Sequence, residues 1–228
     1  METQTRRLGL VGGMSWHSTA LYYARINQAM EDLAGPHRNA CGLVATIDYA
    51  GLLAAAGAGD WPAARDPIVG AARELADAGC GVIALTAVTA HLFHADVAAA
   101  VPDAIVPHVL DAAARELAGR RIGLLGTSIT CGAGFAAARL GGEVIVLDAG
   151  DQAEIDALIQ GTLTSGGDLA ASRPQLVRAV ETLAARGAEA VLLACTELPL
   201  LLPLGPVPVP VVDAVALHVQ HIRQLITE

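Results

Sequence analysis

RLGLVG at residues 7–12 is echoed by RIGLLG at residues 121–126, and each run passes through a polar turn into a helical stretch. A short apolar run that opens on Arg and closes on Gly reads as a buried strand with a turn at its carboxyl end. The echo continues downstream. An Ala-rich helical stretch leads to GVIALTAVTAH (residues 81–91) in one half and to AVLLACTEL (residues 190–198) in the other. An internal repeat of about 110 residues is longer than a solenoid unit and fits a duplicated α/β lobe.

Working outward from these two runs, strands are expected at 6–11, 41–48, 81–86, 104–107, 121–125, 143–148, 190–194 and 208–212, with helices between them. Alternation of this kind is the mark of βαβ units and a parallel sheet. The expected fold is therefore α/β with two similar lobes, each a four-stranded parallel sheet flanked by helices. Residues 1–104, completed by a C-terminal helix at 213–228, would form one lobe and residues 105–212 the other. Composition agrees: 54% of the residues are hydrophobic and only 3% aromatic, so Ala, Val and Leu must do the packing. That suits sheets buried between helices.

A net charge of −9, from 14 Lys and Arg against 23 Asp and Glu, leaves no basic footprint and argues against nucleic acid or anionic membrane as partners. No run of about 18 apolar residues is uninterrupted, and METQTRR leads into a strand rather than an apolar signal core, so the chain reads as soluble and cytoplasmic. The four cysteines (Cys41, Cys80, Cys131 and Cys195) form no C-x-x-C pair, which signals neither a zinc knuckle nor a disulfide framework. Cys41 and Cys80 read as small buried hydrophobes. His91-x-x-His94 and His218-x-x-His221 have one-turn spacing, yet no acid or thiol joins either pair locally and HExxH is absent. No metal site is expected.

Ligands of such sheets bind at the carboxyl ends of the strands, and in a two-lobed protein those ends can face one cleft. Four strand ends carry Gly, Ser and Thr: GGMSWHST at 12–19, TAVTAH at 86–91, GTSIT at 126–130 and ACTE at 194–197. Small donors that close a strand and open a helix suit a carboxylate.

With these turns in view, the chain resembles the aspartate/glutamate racemase superfamily, and within it the aspartate racemase branch. The residues that carry the likeness are GGMSW from Gly12 to Trp16 with Ser18, Thr19, Tyr22, Tyr23 and Asn27, IDY with Asp48, and GDW at 59–61. LLGTSIT at 124–130, Arg173 in ASR, CTELPLL from Cys195, and Asp213 with His218 continue it to the end of the chain. The resemblance implies two α/β lobes with the site between them, a homodimer, no cofactor, and a small carboxylate or amino-acid substrate. It also implies two cysteines on opposite faces of the substrate α-carbon, one removing the α-proton and the other returning one. Carried over residue by residue, Cys195 is the proton-transfer thiol and Met14, Ser15, Thr89, Thr127, Thr130 and Thr196 hold the substrate. Arg173 would meet a distal carboxylate, while Glu197 and His218 would orient or buffer the thiol.

The departures fall where that mechanism lives. The turn that carries the first cysteine and an Asn in the family reads Ala87-Val88-Thr89-Ala90-His91 here, so the first thiol position is empty at Ala87. Thr86, one residue earlier, would point the opposite way along an extended segment. His17, Ala56, Ala136 and Thr162 stand where more polar or larger residues are expected, which suggests a larger and less polar pocket. Cys131, directly after GTSIT, reads as core packing, or as a second thiol if it projects into the cleft. Three functions remain open: a racemase working through Cys195 and a non-thiol partner, a one-thiol decarboxylase or isomerase of a dicarboxylic acid similar to arylmalonate decarboxylase, and a non-catalytic acid-binding protein.

Overall fold

The computed structural model describes residues 4–132, 134–164 and 167–228, so the first three residues of METQTRR lie outside it. The chain divides into two compact units: Met1–His108 with His218–Glu228, and Val109–Leu217.

In the first unit the elements run β1 (Leu8–Gly12), α1 (Trp16–Ala34), β2 (Gly42–Thr46), α2 (Tyr49–Gly57), α3 (Trp61–Asp77), β3 (Val82–Leu85), a 3₁₀ turn (Thr89–Phe93) and α4 (His94–Ala100). RLGLVG supplies the central strand of a parallel sheet ordered β2-β1-β3, with Leu8 opposite both Gly42 and Val82. Its core packs Val11, Ile83 and Leu85 from the strands against Ile68, Ala72 and Leu75 of α3. The α2 and α3 starts are set by Asp48 and Asp60, whose carboxylates accept first-turn N–H groups.

A fourth strand expected at 104–107 is reduced to one bridge, Val82 to Ile105. Ile83 donates its N–H to Ile105 O and Ile105 donates to Gly81 O, both at 2.9 Å. The next rung needs a donor at residue 107, and Pro107 has none, so pairing stops. The edge strand β2 also departs from a doubly buried strand: Gly42, Val44 and Thr46 are exposed on one face. Cys41, expected in the core, is exposed just before this edge, its backbone bracketed by the Gln4 amide.

The second unit begins with α5 (Asp111–Glu116) and β4 (Ile122–Leu125), followed by α6 (Ser128–Gly132), α7 (Phe135–Leu140), β5 (Val144–Ile145) and α8 (Ala149–Ala157). A π-helical turn (Leu158–Leu163), α9 (Leu169–Ala185), β6 (Ala190–Leu193), a 3₁₀ turn (Leu198–Leu201) and β7 (Val211–Asp213) complete it, and α10 (Ala214–Thr227) leads back into the first unit. RIGLLG is again a central strand, in a parallel sheet ordered β5-β4-β6-β7. Leu125 and Leu193 pair at matching strand ends, and Leu176, Val180 and Leu183 of α9 belong to the same core. Among the described residues no helix is long and apolar enough to cross a membrane.

Candidate active site

In the first unit the chain leaves β1 through Gly12-Gly13-Met14-Ser15. Gly13 has φ +89°, and a Cβ there would lie 2.5 Å from the Ile47 carbonyl, so only glycine fits. Thr19, one turn into α1, pins this loop: its hydroxyl accepts from Gly13 N–H at 3.0 Å and lies 3.2 Å from Ser15 O. Ser15 is held at φ +68°, a left-handed conformation costly for a side chain with a Cβ. Its Oγ is shielded from solvent and has no hydrogen-bond partner among the described residues. The Ser15 side chain makes no cap hydrogen bond to the 19-residue α1.

The turn after β3 is built differently. Thr86 is fully buried; its hydroxyl donates to Val11 O at 3.1 Å and lies 3.1 Å from Thr19 Oγ1. That hydroxyl fastens β3 to β1. Ala87, 7% exposed, belongs to the apolar cluster that holds Met14, Ile68 and Leu85. Val88 is buried and Thr89 is half-buried at the head of the 3₁₀ turn. His91 Nδ1 lies 3.0 and 3.2 Å from the carbonyls of Ala87 and Val88, so it carries the ring proton and fixes the turn.

His91 is also one member of a histidine cluster. Its ring centroid is 4.8 Å from His108, 5.6 Å from His218 and 6.2 Å from His94. His218 uses both ring nitrogens: Nε2 faces Pro107 O at 3.2 Å, and Nδ1 is 2.9 Å from the hydroxyl of the buried Tyr22. A carbonyl can only accept, so Nε2 bears the proton and Tyr22 donates to Nδ1. No ring nitrogen of His218 remains to buffer a thiol. Burial, reinforced by neighbouring histidines, lowers His91 to about 4 and holds His218 well below the usual histidine range.

In the second unit β4 and β6 end side by side. Ala194 N–H donates to Leu125 O at 2.7 Å, and a Cβ at Gly126 would lie 2.7 Å from Ala194 O. This close approach places the GTSIT turn next to the ACTE turn. Thr127 Oγ1 and Thr130 Oγ1 are 3.2 Å apart, so the buried Thr130 hydroxyl holds that of the half-buried Thr127. Asp156 accepts from Ser128 N–H at 2.9 Å and Gln152 donates to Gly126 O at 2.9 Å, bracing the turn from α8.

Cys195, Thr196 and Glu197 follow β6 and are 5%, 5% and 8% exposed. The Cys195 thiol donates to Glu197 Oε2 at 3.1 Å, and the Thr196 hydroxyl donates to the same oxygen at 2.5 Å. Burial pushes the thiol well above its ordinary range, and the adjacent Glu197 charge pushes it further. The backbone of Glu197 and Leu198 acts in the opposite direction but does not outweigh them. The balance of these influences favours the protonated thiol over the thiolate. Arg173, near the start of α9, donates from Nε to Leu201 O at 2.8 Å, which ties its guanidinium to the end of the 3₁₀ turn after Glu197. Cys131 donates to Leu124 O and burial pushes it up to about 12, the environment of a packing residue rather than a second reactive thiol.

The second unit thus gathers Cys195, Thr196 and Glu197 with the Thr127–Thr130 turn, and the first gathers Met14 and Ser15 with Thr19 and Thr86. The pinning role of Thr19, the bracing by Asp156 and Gln152, and the contribution of His108 were missed in the sequence. For Thr19 the signal was present, a hydroxyl one helical turn after Ser15.

These features define a class: an α/β protein with two parallel sheets flanked by helices, whose strand-end turns present hydroxyls and one buried thiol beside a carboxylate. The chain belongs to the Asp/Glu/hydantoin racemase family, whose sequence model matches residues 11–222. A solved structure from Yersinia pestis, described as an Asp/Glu racemase, is 33% identical with a TM-score of 0.89, covering 98% of this chain and 100% of that one. An aspartate racemase homologue from Pyrococcus horikoshii is 28% identical with a TM-score of 0.84, over 98% of this chain and 100% of its own. The glutamate racemase of Francisella tularensis, solved in complex with D-glutamate, shares the fold at 14% identity and a TM-score of 0.68, over 96% and 80% of the two chains.

Proposed function

We propose that this protein is a cofactor-independent enzyme of the amino-acid racemase type that moves a proton at the α-carbon of a small carboxylate through Cys195. The observation that carries the reading is the buried thiol donating to Glu197 at the end of β6, in a chain of this family. A proton-transfer group must be able to hold and release one proton at a defined place, and the Cys195–Glu197 pair has one proton and two sites for it. Within the second unit, Thr127, its hydroxyl held by that of Thr130, supports a carboxylate and the enediolate it becomes. Arg173, its Nε already fixed, offers its terminal nitrogens to a distal carboxylate.

A second reading draws on Ala87, an apolar side chain in the cluster of Met14 and Leu85 with no proton to exchange. A chain with one exchangeable thiol suits loss of carbon dioxide from a malonate-like diacid, followed by a single protonation from Cys195. Proton NMR in deuterated water distinguishes the two, using D- and L-Asp, D- and L-Glu and substituted malonates. The racemase-type reading expects loss of the Cα signal of an amino acid, reduced about 10³-fold or more in Cys195→Ala. Turnover of malonates alone, giving product of one handedness, favours the second reading. Silence on the whole panel removes both.

A further inference from the structure

We propose that Gln152 is a positioning residue for substrate binding, its amide holding the Gly126–Thr127 peptide so that Thr127 meets the substrate carboxylate. The inference rests on the reading of Thr127 as a carboxylate-binding group and adds what sets its direction. Gln152 Nε2 donates to Gly126 O at 2.9 Å, just before Thr127, and to Asp156 Oδ1 at 3.3 Å. The same Asp156 oxygen accepts from Ser128 N–H at 2.9 Å, just after Thr127. Gln152 and Asp156 are four residues apart in α8 and so share one face of that helix. Together they grip Thr127 by the peptide groups on either side.

The Gly126 carbonyl can only accept, so the amide nitrogen must face it and the Gln152 side chain has one orientation. In a planar trans peptide C=O and N–H point in opposite directions. Holding Gly126 O toward α8 therefore aims Thr127 N–H away from α8, while the hydroxyl of the same residue is set by Thr130 at 3.2 Å. On its other side the turn abuts the residue before Cys195, since a Cβ at Gly126 would lie 2.7 Å from Ala194 O. Donors fixed in advance bind an anion better than donors that must be ordered on binding. Stability does not account for the arrangement. Gln152 Oε1 is shielded from solvent and has no hydrogen-bond partner among the described residues. An unpaired buried acceptor costs free energy, and a methionine would fill the same space without that cost. The amide is kept for what its nitrogen holds.

The test uses the full-length protein with malonate, D-Asp and L-Asp as probes, their dissociation constants read by proton NMR titration. In Gln152→Met the constant of a probe that wild type binds is expected to rise about tenfold, with the urea midpoint unchanged. For a probe that is turned over, KM should rise by the same factor with kcat within about threefold, since Cys195 is untouched. Gln152→Lys returns a donor to Gly126 O and Asp156 and should bring binding back to within about threefold of wild type. A Met variant that binds as wild type does overturns the proposal. So does one whose weaker binding comes with a lowered urea midpoint, the mark of a structural role. If Gln152→Met does not fold, Gln152→Leu carries the same test, and failure of both to fold makes Gln152 structural and overturns the proposal. If wild type binds none of the three probes, the reading of Thr127 as a carboxylate group fails and takes the proposal with it, whereas undiminished binding in the variant removes the proposal alone.

Discussion

Thr86 is the residue on which a non-thiol replacement for the missing cysteine would most naturally rest, being the hydroxyl next to Ala87. Its only proton is committed to Val11 O, and its side chain is closed off from solvent. A hydroxyl used in this way holds two strands in register and is a poor exchange group. Thr86→Val keeps the shape and removes the hydroxyl, leaving Val11 O with the Thr86 N–H and Thr19 with Gly13 N–H and Ser15 O. The expected cost is about 0.5–1.5 kcal/mol of stability, read as a lower urea midpoint, with Cys195-dependent exchange retained at 25 °C. A stable variant that has lost exchange would instead make Thr86 the missing base. Cys195 differs in kind from the buried Cys80 and the half-buried Cys131. Cys80 and Cys131 donate to backbone carbonyls, whereas Cys195 donates to a group that can keep the proton.

Among the elements, α10 is the one whose docking depends most on protonation. His218 from α10, His91 from the 3₁₀ turn, His94 from α4, and His108 and Tyr22 bring their rings together, and the interactions that lower His91 and His218 are burial and other histidines. His221 also acts on His218. Both folded values lie below the unfolded value of about 6.5, so the unfolded chain binds more protons as pH falls below it. The stabilisation is therefore complete above pH 6.5 and is lost as pH falls toward 4, by about 1.4 kcal/mol per histidine per pH unit. Hydrogen exchange, corrected for intrinsic rates, should show residues 218–227 losing protection between pH 7 and 5 before α9 does. Equal loss in both would point to global acid unfolding. None of this was legible in the sequence, where the histidines are scattered and only their pairwise spacing shows. The strands were more visible: RLGLVG and RIGLLG are both central strands because a run buried on both faces has to be apolar throughout. The segment at 104–107 misled because its apolar pattern outweighed Pro107, which removes a rung of the ladder.

At the scale of the whole chain the duplication is unequal. Both units place a Thr-bearing turn after a central strand of the sheet, but the turn after β6 carries a thiol and the matching turn after β3 carries Ala87. That Cys195, Thr196, Glu197 and the GTSIT turn lie at neighbouring strand ends was legible from strand position and residue type. The upward push on the thiol was not, because it depends on burial and on a carboxylate whose direction only the fold sets. One thiol and one carboxylate can give a proton back only to the face it came from. Exchange of the substrate α-proton with retained configuration should therefore outpace racemisation, and water reaching the other face would supply the remainder. Ala87→Cys restores a second exchangeable group at a position already 7% exposed and packed beside Met14. It is expected to raise racemisation toward the exchange rate, by about tenfold or more, while exchange itself changes little. Chiral chromatography beside deuterium counting on the same samples measures both rates. A wild type that already racemises as fast as it exchanges, with no gain in Ala87→Cys, would show that the opposite face is served by another group, and the one-sided assignment of Cys195 and Glu197 would fall with it.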